Sequence, residues 1–198
     1  GELDHDREAA HGQVALPFLR AGVAVLIEKP IARSVAEADA MIEAASNSDA
    51  ILAVGHSERF NPALAAVTPV VTEPRFLEVH RLGTFPQRSL DIDVIYDLMI
   101  HDLDVVLSLV RSPVSSIEAV GVAVLTLRFD IANARLRFAN GCIANLTASR
   151  ISRDRVRKLR LFQPAAYVSI DFAAQSAQHW CLIKEPGHTA PTIQGQSV

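Results

Sequence analysis

Residues 23–54, VAVLIEKPIARSVAEADAMIEAASNSDAILAV, decide the fold of the first part of the chain. The run Val23–Ile27 shows no polar alternation, which is typical of a parallel strand covered on both faces. Apolar residues at helical spacing follow over Ser34–Ala45, and Ile51–Val54 is a second apolar strand. The order strand, helix, strand predicts a right-handed parallel crossover in a doubly wound sheet.

The helices of this region carry start and stop signals. Ser34 and Glu37 form a capping box, and the apolar stripe behind it consists of Val35, Ala38, Met41, Ile42 and Ala45. A helix is also predicted over His11–Ala21, with His11 near its N-terminus and Gly22 as its C-terminal cap. Downstream, Asn61-Pro62 is a cap and first-turn pair for a further helix.

A doubly wound dinucleotide-binding domain normally begins with a strand, a glycine-rich turn and a helix. The motif G-x-G-x-x-G does not occur in the 198 residues. We therefore expect residues 1–60 to form the C-terminal half of a Rossmann-like domain, in a native protein that continues upstream.

Residues 61–198 have the pattern of an α+β domain. A helix is predicted over Asp93–Val110, and Asn140-Gly141 indicates a hairpin between Ile131–Phe138 and Cys142–Ser149. Further strands are predicted over Phe76–Leu82, Ile117–Leu125, Arg157–Phe162, Tyr167–Phe172 and Trp180–Lys184. The polar tail Gly187–Val198 is predicted to be loose. One helix among sequential strands predicts an open, mainly antiparallel sheet.

The composition excludes several classes of protein. With 49% hydrophobic residues the chain is globular rather than disordered, and its net charge of -3 gives no general attraction to nucleic acid or to an anionic membrane. No apolar run approaches the ~20 residues of a membrane span. Two cysteines, Cys142 and Cys181, are too few for a disulfide framework, which favours a reducing, cytoplasmic location.

The tripeptide Glu28-Lys29-Pro30 is the first candidate for chemistry. It follows a buried strand directly, and ligands of open α/β sheets bind beyond the carboxyl ends of the strands. A lysine there, beside a carboxylate and a proline that stiffens the turn, is suited to donate a proton. The alternative is an ordinary surface turn with a solvated lysine.

Asp97 and His101 are the second candidate. Their i, i+4 spacing places them on one face of the predicted helix, where Asp102 and Asp104 add to a polar surface. A carboxylate can orient an imidazole for general acid–base work. The alternatives are a helix-stabilising pair or, with less support, a metal site.

Two further groups of polar residues remain. His56 and Arg59 follow the second strand and open onto the same edge of the sheet, where they could reach a ligand or merely cap a loop. A basic cluster comprises Arg150, Arg153, Arg155, Arg157, Lys158 and Arg160. Such a cluster can hold phosphates, and the alternative is a solvated strand edge or an oligomer contact. No aromatic residues interleave with it, so nucleic acid is not a predicted partner.

Several motifs together resemble the Gfo/Idh/MocA oxidoreductase family. The segment His11–Pro30 follows the pattern H-x10-G-x5-EKP. The later matches occur in the family's order; they are Val54-Gly55-His56, Arg59-Phe60-Asn61-Pro62, Asp97-x-x-x-His101-Asp102 and the strands from Asp130 through Asn140-Gly141 to Ala148. Each motif alone is modest, but in register they cover nearly the whole chain. The usual Lys-His after the Gly22 position is Val23-Ala24 here.

The resemblance implies a hydride transfer between NAD or NADP and a hydroxyl-bearing carbon of a sugar. By resemblance, Lys29 is the catalytic lysine at the nicotinamide, and Asp97 and His101 are the acid–base pair over the substrate carbinol. The residues implied in cofactor binding are Glu28, Lys29, Pro30 and Arg59. No metal is implied.

The resemblance also bears on substrate and assembly. Residues 157–164 and 167–171 are similar to bacterial members of the family that oxidise the 3-hydroxyl of UDP-N-acetylglucosamine. The open face of the sheet commonly packs against another subunit in this family, which implies a dimer or tetramer. The rival hypothesis is a non-catalytic oligomerisation or ligand-binding module that retains the family fold.

Overall fold

The computed structural model describes residues 3–85, 92–183 and 192–197, with residues 3–10 described as backbone alone. The chain forms two compact units, Gly1–His56 and Ser57–Val198. The sequence placed the boundary after residue 60, whereas residues 57–60 lie in the second unit.

The first unit consists of two helices and two short strands. Its elements are α1 (Leu3–Arg20), β1 (Val25–Ile27), α2 (Val35–Ser48) and β2 (Leu52–Val54). The two strands pair in parallel, with Val25 opposite Leu52, so the predicted parallel crossover through α2 is confirmed. Helix α1 begins well before the predicted start at residue 11.

Helix α2 begins as its capping box predicts. The Glu37 amide donates to Ser34 Oγ at 3.2 Å, and the Arg33 amide donates to the Glu37 carboxylate at 3.1 Å. The apolar stripe is only partly as predicted, because Val35 and Ile42 are exposed. The buried core of this unit consists of Ala15, Leu19, Ile27, Met41, Ala44 and Ala45.

Strand β1 is covered on one face rather than two. Ile27 is buried against the helices, but Leu26 on the opposite face is 74% exposed. Helices α1 and α2 pack against each other and share a core with Ile27, so they occupy the same face of the strand pair. Within the described residues the prediction of a strand buried on both faces is therefore wrong.

The second unit begins with short helices and continues as a large sheet. After a 3-10 turn (Ser57–Phe60) come α3 (Pro62–Val67), a second 3-10 turn (Thr68–Val70) and β3 (Phe76–Leu82). A π turn (Ile95–Met99) leads into α4 (Ile100–Val110). The remaining strands are β4 (Val114–Val122), β5 (Ile131–Phe138), β6 (Ile143–Ser149), β7 (Val156–Gln163), β8 (Ala166–Asp171), β9 (Ser176–Ile183) and β10 (Thr192–Ser197).

The eight strands form one sheet in the order β10-β9-β8-β7-β3-β6-β5-β4. Within this eight-stranded sheet the described pairs are antiparallel except for β3 and β6, which pair in parallel, so the expected mainly antiparallel sheet is confirmed. The predicted loose tail is wrong over Thr192–Ser197, because this segment pairs with β9. Lys184 and residues 187–191 lie outside the described part of the chain.

One face of this sheet carries the core and the other is open. Alternate residues of β3, β5, β6 and β7 are buried beneath α3 and α4, including Leu77, Val79, Leu146 and Leu161. On the open face the strand register aligns an aromatic row, which consists of Phe76, Phe162, Tyr167 and Trp180. Phe162 packs against both Phe76 and Tyr167, with ring centroids 6.0 and 5.0 Å apart.

Candidate active site

The Glu28-Lys29-Pro30 turn leaves β1 at the carboxyl edge of the parallel pair. Pro30 is buried, Lys29 is half-buried and the peptide bond between them is cis. His11 Nδ1 donates to the Pro30 carbonyl at 3.1 Å. His11 was predicted near the N-terminus of its helix, but α1 extends past it and the imidazole instead ties the helix to this turn.

Gly55 brings the end of β2 close to this turn. A Cβ atom at Gly55 would lie 3.2 Å from Glu28 Oε1, so a larger residue would push the carboxylate aside. The Gly55 amide also donates to the Ile27 carbonyl at 2.7 Å, which joins the two strand ends. The first unit thus presents a carboxylate, an ammonium group and a stretch of bare backbone at one edge of its sheet.

Asp97 and His101 lie where the π turn passes into α4. The sequence predicted one continuous α-helix from residue 93, and the wider π turn is a difference from that prediction. Four residues are close to one full turn in either geometry, so the pair stays on one side of the helix. Both side chains are half-buried. Such π insertions occur frequently at functional sites.

The neighbouring acid Asp102 is not part of a polar surface. It is 2% exposed and accepts hydrogen bonds from Arg81 at 2.8 and 3.0 Å. Glu58 accepts a further bond from Arg81 at 3.0 Å. Burial by itself lowers the pKa of Arg81, but the bonds and charges of Asp102 and Glu58 outweigh it and raise that pKa. Asp102, the residue after His101, therefore fixes α4 to β3.

Arg59 is engaged by an acid of its own unit. Its guanidinium donates two hydrogen bonds to Asp104, at 2.6 and 2.8 Å. These bonds raise the pKa of Arg59. Asp104 was expected to belong to the same polar surface as Asp97, whereas its charge is neutralised locally by this pair.

The predicted basic cluster separates into buried and exposed members. Arg150 is 2% exposed and donates to Asp130 at 2.9 Å, to Thr126 Oγ1 at 3.0 Å and to the Ile92 carbonyl at 2.5 Å. No sequence pattern distinguishes Arg150 from its basic neighbours. Lys158 and Arg160 pair with Asp171 and Glu78 on the sheet.

A small cavity of about 210 Å³ lies in the second unit beside Asp97. It begins at the end of β3 and is bordered by the start of β7, and its charged lining residues are Arg81, Asp97, Arg150, Arg155 and Arg157. The second unit therefore combines an acid, the adjacent His101 and a strongly basic wall.

Among the described residues, no group of three or more His, Cys, Asp or Glu side chains is arranged to hold a metal ion. In the same part of the chain, no helix has the length and apolar character that crossing a membrane would require. Lys29 belongs to the first unit, and Asp97 and His101 belong to the second.

A parallel Rossmann-like unit followed by an open, mainly antiparallel sheet domain defines a class of two-domain oxidoreductases. The first unit matches the model of the oxidoreductase family with an NAD-binding Rossmann fold over residues 6–56, and the second matches the GFO/IDH/MocA C-terminal domain over residues 73–164. The chain belongs to the Gfo/Idh/MocA family.

Named relatives agree with this assignment. The chain is 45% identical over 165 residues to UDP-N-acetylglucosamine 3-dehydrogenase of Acidithiobacillus ferrooxidans, which is 83% of this chain and 53% of that protein. Inositol 2-dehydrogenase of Leifsonia xyli is 34% identical over 54% of this chain and 34% of its own length. The chain thus spans about half, or less, of the length of these relatives.

Solved structures show the same fold. A structure of UDP-N-acetylglucosamine 3-dehydrogenase GnnA from Acidithiobacillus ferrooxidans has a TM-score of 0.88 at 40% identity, covering 96% of this chain and 61% of that one. Levoglucosan dehydrogenase in complex with NADH and levoglucosan has a TM-score of 0.84 at 17% identity, covering 96% of this chain and 59% of that one. At that identity the likeness concerns the fold alone.

Proposed function

We propose that this chain is the larger part of an NAD(P)-dependent oxidoreductase that acts on a nucleotide-sugar, with the 3-hydroxyl of UDP-N-acetylglucosamine as the reacting group. The observation that carries the proposal is the 45% identity, over 83% of the chain, to a relative named for that activity. The half-buried Lys29, Asp97 and His101 supply the acid–base groups that such a reaction needs.

The residues of the first unit fit a dinucleotide. Its two strands end at one edge, which is where open parallel sheets bind their ligands. Gly55 has no side chain, Lys29 supplies a cation, and Glu28 and Pro30 shape the turn around it. When bound, the dinucleotide supplies the acceptor for the hydride. Arg59 is a weaker candidate for the cofactor site, because Asp104 already engages it.

Residues of this chain accept the proton that the substrate hydroxyl loses. As the substrate carbinol is oxidised, its hydroxyl hydrogen leaves as a proton to the imidazole of His101 or to Lys29 Nζ. Asp97, one turn before His101, orients the imidazole. In the reverse direction the same groups return the proton to the carbonyl oxygen.

Cofactor binding provides the first test. We expect the full-length protein to be stabilised against heat by NAD or NADP and to reduce one of them when UDP-N-acetylglucosamine is added. Such stabilisation by a ligand that binds only the folded state follows mass action, and about 2.7 kcal/mol is expected at 100 times Kd. Thermal shift and the absorbance of the reduced nicotinamide measure the two effects. No response to any dinucleotide would favour the non-catalytic module instead.

The open face of the sheet favours a homo-oligomer. Phe162 and Trp180 of the aromatic row are 38% and 41% exposed, and a second copy of this chain would cover them. Such an assembly would be a dimer or, through a further contact, a tetramer.

The cysteines Cys142 and Cys181 are free thiols, which supports a reducing, cytoplasmic location.

Replacing Phe162 with arginine is expected to dissociate this assembly, because it places an unpaired charge in the covered face. Light scattering behind size exclusion would show the mass falling to that of one chain. Phe60→Arg is the matched control, since Phe60 is 84% exposed in the 3-10 turn and lies off the sheet. A wild-type protein that is already a monomer would refute this part of the proposal.

A further inference from the structure

Among the described residues, two arginines in the cavity beside Asp97 form no ion pair with an acidic side chain. Arg155 immediately precedes β7, and Arg157 is the second residue of that strand. Both side chains are exposed, and neither forms a hydrogen bond or an ion pair within the described part of the chain. The other arginines of the cavity differ, because Arg81 is bound by Asp102 and Glu58 and Arg150 by Asp130.

The strand register makes this arrangement costly without an anion. Arg157 lies directly opposite Arg81 in the β3–β7 pair, and like charges in that position destabilise a sheet. The charge of Asp102 reaches Arg157, but its carboxylate is already held by Arg81. A guanidinium does not lose its proton near neutral pH, so the positive charge persists.

The geometry suits phosphate groups. Arg155 and Arg157 are two residues apart, so extended backbone directs both side chains toward the same face, where both line the cavity. The planar guanidinium binds phosphate oxygens through two parallel hydrogen bonds, and two guanidinium groups match the two adjacent anionic groups of a diphosphate. The cavity of about 210 Å³ is below the ~300 Å³ of pockets that enclose a whole ligand. It can therefore take only the charged part of a ligand.

We propose that Arg155 and Arg157 form a phosphate subsite beside Asp97, which holds the diphosphate of the nucleotide-sugar substrate. The proposal rests on the proposed function and assigns its substrate recognition to two residues. A dinucleotide cofactor carries the same phosphate chemistry, so the experiment separates the two sources.

The test compares Arg155→Gln, Arg157→Gln and the double variant with Arg153→Gln in the full-length protein. Arg153 is an exposed arginine of the same loop that does not line the cavity. Titration calorimetry would use UDP, UDP-N-acetylglucosamine, N-acetylglucosamine and NAD as separate probes. Because each lost bond to a charged group weakens binding by at least about tenfold, we expect tenfold weaker UDP binding for each single variant. The double variant should lose about a hundredfold.

Steady-state kinetics give a second readout. In the Arg155 and Arg157 variants, KM for UDP-N-acetylglucosamine should rise in parallel with the Kd for UDP, whereas kcat and NAD affinity should change little. In Arg153→Gln, all of these quantities should stay close to their wild-type values. Variants that lose NAD affinity but keep UDP affinity would overturn the substrate assignment in favour of the cofactor. Variants that lose neither would overturn the subsite.

The failures of the two proposals are distinguishable. If the wild-type protein binds UDP through these arginines but oxidises no UDP-sugar, the proposed function is contradicted and the phosphate subsite is supported. Efficient oxidation of UDP-N-acetylglucosamine by the double variant, with unchanged KM, would uphold the function and overturn the subsite.

Discussion

Lys29→Ala and His101→Ala are each expected to lower kcat by about 10²- to 10⁴-fold, the range that a positioned general acid or base contributes. The reason is that each variant removes one of the two proposed acceptors of the substrate's hydroxyl proton. Dinucleotide affinity should change by only a few fold, since most of the contacts that hold a dinucleotide involve backbone and other residues. Stopped-flow measurement of hydride transfer in the full-length protein, with cofactor binding measured separately, tests both statements.

Lys158→Ala is the matched control for the lysine. Lys158 is exposed and pairs with Asp171 on the sheet, so its loss should leave kcat within a factor of about two. Wild-type turnover in either catalytic variant would remove that residue from the mechanism.

Local signals in the sequence predicted the elements whose structure depends on neighbouring residues. β3 runs over Phe76–Leu82 as its alternating pattern predicted, and the hairpin around Asn140-Gly141 forms with Gly141 at a φ of 85°. Ser34 caps α2, and Asn61 caps α3 by accepting a hydrogen bond from the Ala63 amide at 3.1 Å. In each case a turn or cap residue acts within a few positions of itself, so its effect can be predicted from the sequence.

Predictions failed where a distant part of the chain decides the outcome. Val23–Ile27 was expected to be covered on both faces, but Leu26 is exposed. Its burial would require another part of the chain to pack on that face, and the sequence of the strand does not show whether one does. The segment Thr192–Ser197 forms a strand despite its polar composition, because the edge of β9 offers backbone partners. Composition alone does not show that such an edge is available.

The candidate site also combines features that depend on neighbouring residues with features that depend on distant ones. The sequence motifs selected Glu28, Lys29, Asp97 and His101, and the structure places them at a strand end and at a π turn. The contacts that support them were not predictable, namely the His11 bond to the Pro30 carbonyl and the Arg81 bonds to Asp102. These contacts span 19 and 21 residues and depend on packing. The motif therefore predicts which groups react, and the fold determines what holds them in place.

Arg150→Ala is expected to destabilise the second unit by about 3–5 kcal/mol, the usual cost of leaving one member of a buried ion pair behind. The reason is that Asp130 is fully buried and would lose its charged partner, while the Ile92 carbonyl and Thr126 would each lose a donor. Urea unfolding followed by tryptophan fluorescence, which reports on Trp180 in β9, measures the change. Arg153→Ala, at an exposed position of the same loop, should stay within about 0.5 kcal/mol of wild type.

Lowering the pH should weaken the ion pair between Asp130 and Arg150. Burial by itself would raise the pKa of Asp130, but the hydrogen bonds that its carboxylate accepts from the Val124, Thr126 and Leu125 amides hold that pKa well below its usual range. In the unfolded chain an aspartate has a pKa of about 3.9. Its contribution to stability is therefore complete above that value and is lost progressively as the pH falls below it, because the unfolded state then binds more protons. Asp130→Asn should lower the free energy of unfolding at pH 7, as Arg150→Ala does. Between about pH 5 and pH 3, however, the free energy of unfolding should fall less in Asp130→Asn than in wild type. Parallel loss in both proteins over that interval would show that other carboxylates dominate the acid response and that the Asp130 contact does not.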